Sequence, residues 1–207
     1  MIAPYQKKGI VLDIGTGDGR FVSTHAKANR DKFYIGIDAN AKPLEKLSMK
    51  ATRKPTKGGL PNAIFVQAAV EDLPVELDGI ATEIHLNFPW GSLLRAVAVG
   101  DPAILRTLHR IGTPPCALEI VIGIDPVRDC GELDRLNIPD MKLEYVDTDL
   151  RKAFADAGFS IKTQRELALV EWPSIETSWA RKLSGNDNRR VLRLEIVKMM
   201  TLFNGEE

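Results

Sequence analysis

Apolar residues along the chain gather into short runs separated by polar, glycine- and proline-containing breaks. Runs at 9–14, 33–38, 63–68, 83–88, 115–124, 159–166 and 190–199 predict β-strands. Helix-like runs lie between them, at 18–29, 42–53, 92–99, 101–111, 148–157 and 174–183. Such alternation implies a largely parallel sheet covered by helices on both faces. Ala117–Ile122 is apolar apart from Glu119 and reads as a mostly buried strand. Asp101-Pro102 is a good helix start, because proline at the first helical position gives up an N–H that would be unpaired anyway. The expectation is one α/β domain over residues 1–207, large enough for a sizeable core. Three stretches break the rhythm: Pro55–Asn62, an acidic connection at 125–147, and a connection at 167–189 that holds Trp172 and Trp179. Long connections in a compact domain are usually functional or disordered. The 125–147 segment leaves a strand and starts at the carboxyl end of the sheet, where open α/β sheets bind ligands. Pro55–Asn62 enters a strand and belongs toward the opposite end or the sheet's margin.

The first strand runs into Asp13-Ile14-Gly15-Thr16-Gly17-Asp18-Gly19-Arg20, and the second ends at Asp38. Strand, glycine-rich turn, helix, strand, acid is the layout of a nucleoside-binding unit. Glycines let the backbone approach a ligand closely, and the second acid can bind both ribose hydroxyls. An acid ahead of the first glycine would repel a pyrophosphate. Asp13 therefore argues against NAD and for a nucleoside cofactor without phosphates. S-adenosylmethionine (SAM), with its ribose and its ammonium-bearing tail, fits.

Composition changes this picture little. The charged fraction is 27% and the net charge zero, which argues against a general nucleic-acid binder. The distribution says more. Lys42, Lys46, Lys50, Arg53, Lys54 and Lys57 oppose the single acid Glu45, and Arg181, Lys182, Arg189, Arg190 and Arg193 oppose Asp187. Residues 125–149 hold eight acids and three bases. Segregated charge can give a neutral protein a basic face, although any one charge run is more often a solvated helix surface. Cys116 and Cys130 are the only cysteines, which points to reduced thiols, a cytoplasmic setting and no metal cluster. No run is long enough to cross a membrane and no signal peptide opens the chain.

Three further strings carry chemistry. Ala68-Ala69-Val70-Glu71-Asp72-Leu73-Pro74 follows the third strand, where SAM-binding sheets contact adenine; Glu71 or a neighbour could accept from the adenine amino group, or the acids could simply complement a helix N-terminus. Leu86-Asn87-Phe88-Pro89-Trp90-Gly91-Ser92 stops a strand at proline and presents Trp90 at the cofactor end, either to stack on a nucleobase or as a lid over the core. Trp179 with Arg181 and Lys182 suits a clamp on base and phosphate, or is the buried side of an amphipathic helix. His25, His85 and His109 are isolated and read as ordinary surface or core histidines. A site without a general base suits methylation of a ring nitrogen: adenine N1 already carries a lone pair, so alignment and exclusion of water are the main needs.

Asp13–Arg20, Tyr34–Asp38, Lys54-Pro55-Thr56-Lys57-Gly58-Gly59-Leu60, Phe88-Pro89-Trp90-Gly91-Ser92-Leu93-Leu94 and Ser178–Leu183 together resemble the 16S ribosomal RNA adenine-1408 N1-methyltransferases, the aminoglycoside-resistance family. The resemblance implies a Rossmann-like, seven-stranded SAM-dependent fold that docks, as a monomer without metal, on the 30S subunit. It implies SAM held by Gly15, Gly17, Asp38 and Glu71, in a pocket to which Asp13, Ala69 and Asn87 also belong, with Ser92 at the methionine end. Trp90 and Trp179 would sandwich the flipped adenine. Lys50, Arg53, Lys54, Lys57, Arg181, Lys182 and Arg190 would meet RNA phosphates. The chain departs from the family in three places. It opens almost at the first strand, where the family usually has a docking hairpin. It carries Arg181-Lys182 where Lys-Arg or Arg-Arg is common, and Asn87 where an apolar residue is expected. The first alternative is another RNA or small-molecule methyltransferase; Asn87-Phe88-Pro89-Trp90 is also similar to the N-F-P motif of tRNA guanine-N7 methyltransferases. A SAM-binding homologue with weak or lost activity is the second.

Overall fold

The computed structural model describes Tyr5, residues 8–183 and residues 189–200. Seven strands form one sheet in the order β3-β2-β1-β4-β5-β7-β6. In chain order the elements are β1 (Ile10–Ile14), α1 (Arg20–Ala28), β2 (Phe33–Asp38), α2 (Ala41–Ala51), β3 (Ala63–Gln67), β4 (Ala81–Asn87), α3 (Gly91–Val99), α4 (Pro102–Ile111), β5 (Gly112–Ile124), α5 (Cys130–Leu136), α6 (Leu143–Tyr145), α7 (Arg151–Asp156), β6 (Phe159–Glu166), α8 (Ser178–Leu183) and β7 (Arg190–Lys198). Only β7 runs against the rest, pairing antiparallel with both β5 and β6.

β1 lies near the middle and all five of its residues are buried. Alternation sends Ile10, Leu12 and Ile14 into the larger core, with Leu94, Leu105, Val146, Leu150 and Phe154 of the helices on that side. Val11 faces the other way, into a smaller core with Phe21 and Val22 of α1 and Ala51 of α2. Asp13 shares the Val11 face. Its register partner on β4 is His85, so Asp13, His85 and Asn87 meet on one side of the sheet at its carboxyl end.

Two segments differ from the sequence reading. The helix expected at 148–157 starts instead at Leu143 and continues through a π-turn at Val146–Leu150 into α7. Val146, Leu150 and Phe154, each fully buried, form an i, i+4, i+8 stripe that begins inside the acidic connection. The helix expected at 174–183 is delayed to Ser178, because a 3₁₀ turn occupies Leu169–Ser174 and the Thr177 hydroxyl accepts from Ala180 N at 3.0 Å to cap α8. The 125–147 and 167–189 connections are thus partly helical, and residues 184–188 of the second lie outside the described residues. The 167–183 stretch packs Leu167, Trp172, Ile175 and Ala180 against Phe88, Val121 and Val191, a third core over the carboxyl end of β5.

That third core covers only part of its face. Lower down, Ala117 is exposed in the middle of the sheet beside Glu83, Glu119, Glu195 and Lys162. Charged neighbours there form a ladder across strands: Lys32 with Glu83, His85 with Glu119 at 3.5 Å, Glu119 with Arg193, and Arg193 with Glu195 at 3.5 Å. Glu119 is accordingly the one charged side chain of an otherwise apolar strand segment because it faces this open ladder. No helix among the described residues is long and apolar enough to cross a membrane.

Candidate active site

Between β1 and α1 the chain must turn back toward β2 without side-chain obstruction. Gly15, Gly17 and Gly19 all take positive φ, at 77°, 55° and 61°. The amides of Gly15 and Thr16 donate to Ile37 O at 2.8 and 3.0 Å, which pins the turn to β2. Gly17 N donates to Asp38 Oδ2 at 2.8 Å, and Asn40 N to Asp38 Oδ1 at 2.9 Å. Asp38 therefore holds the turn in shape while lining the cavity above it. A Cβ on Gly17 would meet nothing within 4 Å, so the turn faces open space there.

Two cavities share Gly15, Gly17 and Trp179 as walls. The larger, about 340 Å³, is lined by Asp38, Ala69, Glu71, Trp90 and Ser92. The smaller, about 110 Å³, is lined by Asp13, Thr16, Asp18, Asn87 and Lys182. All eight residues expected at the cofactor are thus on these walls. Ser92, in the first turn of α3, lines the larger cavity and not the one that holds Asp13 and Asn87.

The smaller cavity has a built polar floor. Asp13 is 2% exposed and accepts from Thr16 Oγ1 at 2.6 Å and from Asn87 Nδ2 at 3.3 Å. Burial pushes its carboxyl upward, and the Thr16 hydroxyl, His85 and Asn87 pull it back toward ionisation. Asn87 Oδ1 is buried and has no hydrogen-bond partner. An anion and an orphaned carbonyl oxygen side by side suit a cationic amino group. In the larger cavity, Asp38 stands at the end of β2 where a ribose would lie and Glu71 at its rim. The residues present fit SAM: ammonium at Asp13 and Asn87, ribose at Asp38, adenine along Ala69 and Glu71.

Trp90 and Trp179 come together. Both line the larger cavity and a third of about 130 Å³, formed with Phe88, Pro89, Asp129 and Arg189. They are 47% and 53% exposed, so neither is a core lid. Phe88 sits at φ 51°, a left-handed conformation costly for a residue with a side chain. Its buried ring, packed against Val121 and Trp172, holds it there, and the reversal aims Pro89 and Trp90 at the cavity mouth. Trp172, by contrast, is 1% exposed and donates its indole N–H to Leu167 O at 3.2 Å.

The cations divide into two groups. Lys182 stands 5.4 Å from the Trp179 ring, and Arg181 is on the same short helix. Arg190 is engaged by Glu166 and lies 3.6 Å from Asp140. Lys50, Arg53, Lys54 and Lys57 lie elsewhere. All four are exposed and none is in an ion pair among the described residues. They follow α2 down to the amino end of β3, where Asn62 fastens the Pro55–Asn62 loop by donating to Ala26 O, Asn29 O and Lys32 O. This is the end of the sheet opposite the tryptophans.

Sequence reasoning missed Thr16, the strain at Phe88 and the pairing of Arg189 with Asp129. Arg189 Nη1 donates to Asp129 Oδ2 at 2.7 Å and to Gly123 O at 2.8 Å, joining the two long connections behind the tryptophan cavity. Two residues sixty positions apart carry no local signal of such a contact. Among the described residues no group of three or more His, Cys, Asp or Glu is placed to hold a metal.

Comparison with known proteins agrees with this geometry. The family described as NpmA, 16S rRNA (adenine(1408)-N(1))-methyltransferase, matches residues 3–198. A 16S rRNA (adenine(1408)-N(1))-methyltransferase of Streptoalloteichus hindustanus is 36% identical over 184 residues, 87% of this chain and 82% of the relative. The crystal structure of the aminoglycoside resistance methyltransferase NpmB1 is 48% identical, with a TM-score of 0.80 over 94% of this chain and 89% of that one. A mutant of the Catenulisporales acidiphilia 16S rRNA (adenine(1408)-N(1))-methyltransferase, solved with cosubstrate SAM, is 32% identical, with a TM-score of 0.87 over 97% and 91%.

Proposed function

The chain belongs to the 16S rRNA (adenine(1408)-N(1))-methyltransferase family, and from that premise we propose that it receives adenine-1408 of the 30S subunit between Trp90 and Trp179 and methylates its N1. Bound SAM supplies the methyl group, activated by its sulfonium. The chain's own residues bind, orient and shield. Asp13 and Asn87 take the cofactor's ammonium, Asp38 its ribose, and Ala69 and Glu71 its adenine. Gly15 and Gly17 keep the floor open, and Ser92 lies on the same cavity's wall as Trp90.

The observation that carries the reading is the meeting of two half-exposed tryptophans at the mouth of the cavity that fits SAM. A flipped base between two indole faces gains stacking on both sides and loses water from both. With adenine N1 already a nucleophile, orientation and dehydration are the work left to the protein, and the carboxylate beside the tryptophans, Asp129, is held by Arg189.

Recognition would come from elsewhere on the surface. Lys182 and Arg181 stand beside the base clamp, and Lys50, Arg53, Lys54 and Lys57 form a second cationic site at the far end of the sheet. Arg190 meets RNA only by leaving Glu166. We take the enzyme to be a single-domain monomer of the cytoplasm that needs no metal, its two long connections serving substrate binding. Methylation at this base would confer aminoglycoside resistance.

The test is incubation with methyl-labelled SAM and purified 30S subunits, followed by primer extension. A stop at adenine-1408 is expected. Label on tRNA and none on 30S subunits would move the assignment to tRNA methylation. SAM binding without label on either substrate would leave a binding protein that has lost activity.

A further inference from the structure

The helix that carries Trp179 is bonded directly to the cofactor turn. Ser178 Oγ donates to Asp18 Oδ2 across 160 positions of sequence. Asp18 lies between Gly17 and Gly19, inside the turn itself, and its other oxygen accepts from Arg20 N at 3.3 Å at the start of α1. One carboxylate thus joins the turn, α1 and α8. Close by, His25 Nδ1 on α1 is 2.9 Å from Phe21 O and 3.8 Å from Glu176 Oε2, just ahead of α8.

α8 has six residues, too few to hold a position by its own hydrogen bonds. Its placement must come from anchors. Its apolar anchors are Ala180, fully buried, and Leu183, partly buried against the third core. Both follow Trp179, so they leave the first residues of the helix to be held by other bonds, and a shift there would swing Trp179 away from the cavities. Ser178 precedes Trp179 directly, so its bond to Asp18 fixes the backbone from which the indole projects.

We propose that Asp18 is a positioning residue: by holding Ser178 it sets Trp179 as the common wall of the cofactor cavity and the target-base cavity. Cofactor retention and presentation of Trp179 to the base are then coupled through one hydrogen bond. The inference rests on the reading of Trp179 as half of the base clamp, but its test needs no RNA.

The experiment uses the full chain carrying Trp90→Phe. Trp179 then dominates the quenchable fluorescence, because Trp172 is buried. Acrylamide quenching and the SAM dissociation rate are measured for Asp18→Ala, Ser178→Ala, Ser178→Thr and the double alanine variant. Each single alanine variant is expected to raise the quenching constant of Trp179 and to speed SAM dissociation about five- to tenfold. The double variant should be no worse than the worse single one, and Ser178→Thr should restore both readouts. Additive effects would mean that Ser178 and Asp18 act separately, as would a direct contact of Ser178 with SAM, and would overturn the proposal. Unchanged quenching in both single variants would overturn it as well. Full methylation of 30S subunits by a Trp179→Ala protein would remove the clamp reading and leave the coupling of Asp18 to Trp179 standing on these two readouts.

Discussion

Asn87 reaches from β4 to β1 and donates its amide to Asp13 at 3.3 Å, leaving its own carbonyl oxygen buried and unpaired. A buried acceptor without a donor costs about 1–3 kcal/mol, and a ligand that supplies the donor recovers it. Asn87→Leu is expected to weaken SAM binding about tenfold or more by isothermal titration calorimetry. Asp13→Asn, which removes the anion, should weaken it further. Wild-type affinity in both variants would show that the ammonium is bound elsewhere.

Trp90→Ala and Trp179→Ala are each expected to lower methylation of 30S subunits by roughly one to two orders of magnitude, from the ~1–3 kcal/mol of stacking per base. SAM affinity should change far less in Trp90→Ala. Trp90→Phe should retain a large part of the rate because a planar face remains. Undiminished turnover in both alanine variants would refute the clamp.

Gly15→Ala places a methyl group at φ 77°, 3.0 Å from Leu93 Cδ2. The left-handed conformation alone costs about 1–2 kcal/mol with a Cβ present. A lowered melting temperature and reduced SAM affinity are expected together. An unchanged melting temperature would mean that the turn relaxes without strain.

The cross-strand ladder on the open face predicts a pH dependence of stability. Burial opposes charge on His85, but Glu119 and Glu83 outweigh it and raise its pKa to about 9. His85 and Lys32 in turn hold Glu83 down to about 2. Asp13 on β1 adds to the negative surroundings, and Phe21 of α1 stacks 4.7 Å from the imidazole. A raised histidine stabilises the fold fully below its unfolded value near 6.5, and the contribution disappears as pH rises through about 9. Its size is on the order of 2 kcal/mol. The melting temperature of the wild type should fall between about pH 6.5 and 9 more steeply than that of His85→Gln. Parallel curves would show that the ladder carries no net stability.

Lys54→Ala and Lys57→Ala are expected to weaken 30S binding and to reduce the slope of log affinity against log salt by about one unit for each phosphate no longer neutralised. Arg190→Ala should do less, because Glu166 and Asp140 already engage its guanidinium. Filter binding over a salt series measures both. Equal slopes for wild type and Lys54→Ala would take the far cationic site out of the interface.

Much of this was legible in the chain. The run 33–38 matches β2 because a buried parallel strand is nearly continuous in apolar residues, and 159–166 matches β6, an edge strand paired antiparallel with β7, through the alternate burial of Phe159 and Ile161. The residues that line the two cavities were legible because Asp13, the glycines and Asp38 stand where β1 and β2 end, a place set by the local sequence. What escaped depends on tertiary contact. The stripe from Val146 to Phe154 was hidden among acids, and Ser178 meets Asp18 only after the chain has folded. The open half-face was equally invisible: Glu119 looked like an exception in a buried strand and is one rung of a charged ladder.

The two cationic sites stand at opposite ends of strands five to six residues long in β1, β2 and β3. At about 3.3 Å per residue, the strands alone separate them by roughly 17–20 Å. A rigid sheet of that length works as a caliper. For the proposed RNA contacts, a short hairpin bearing the right adenine can fill one jaw but not both, whereas a folded subunit with a backbone at the correct span fills the two together. If both sites meet RNA as proposed, distance built into the strand length would select the substrate before any base is read.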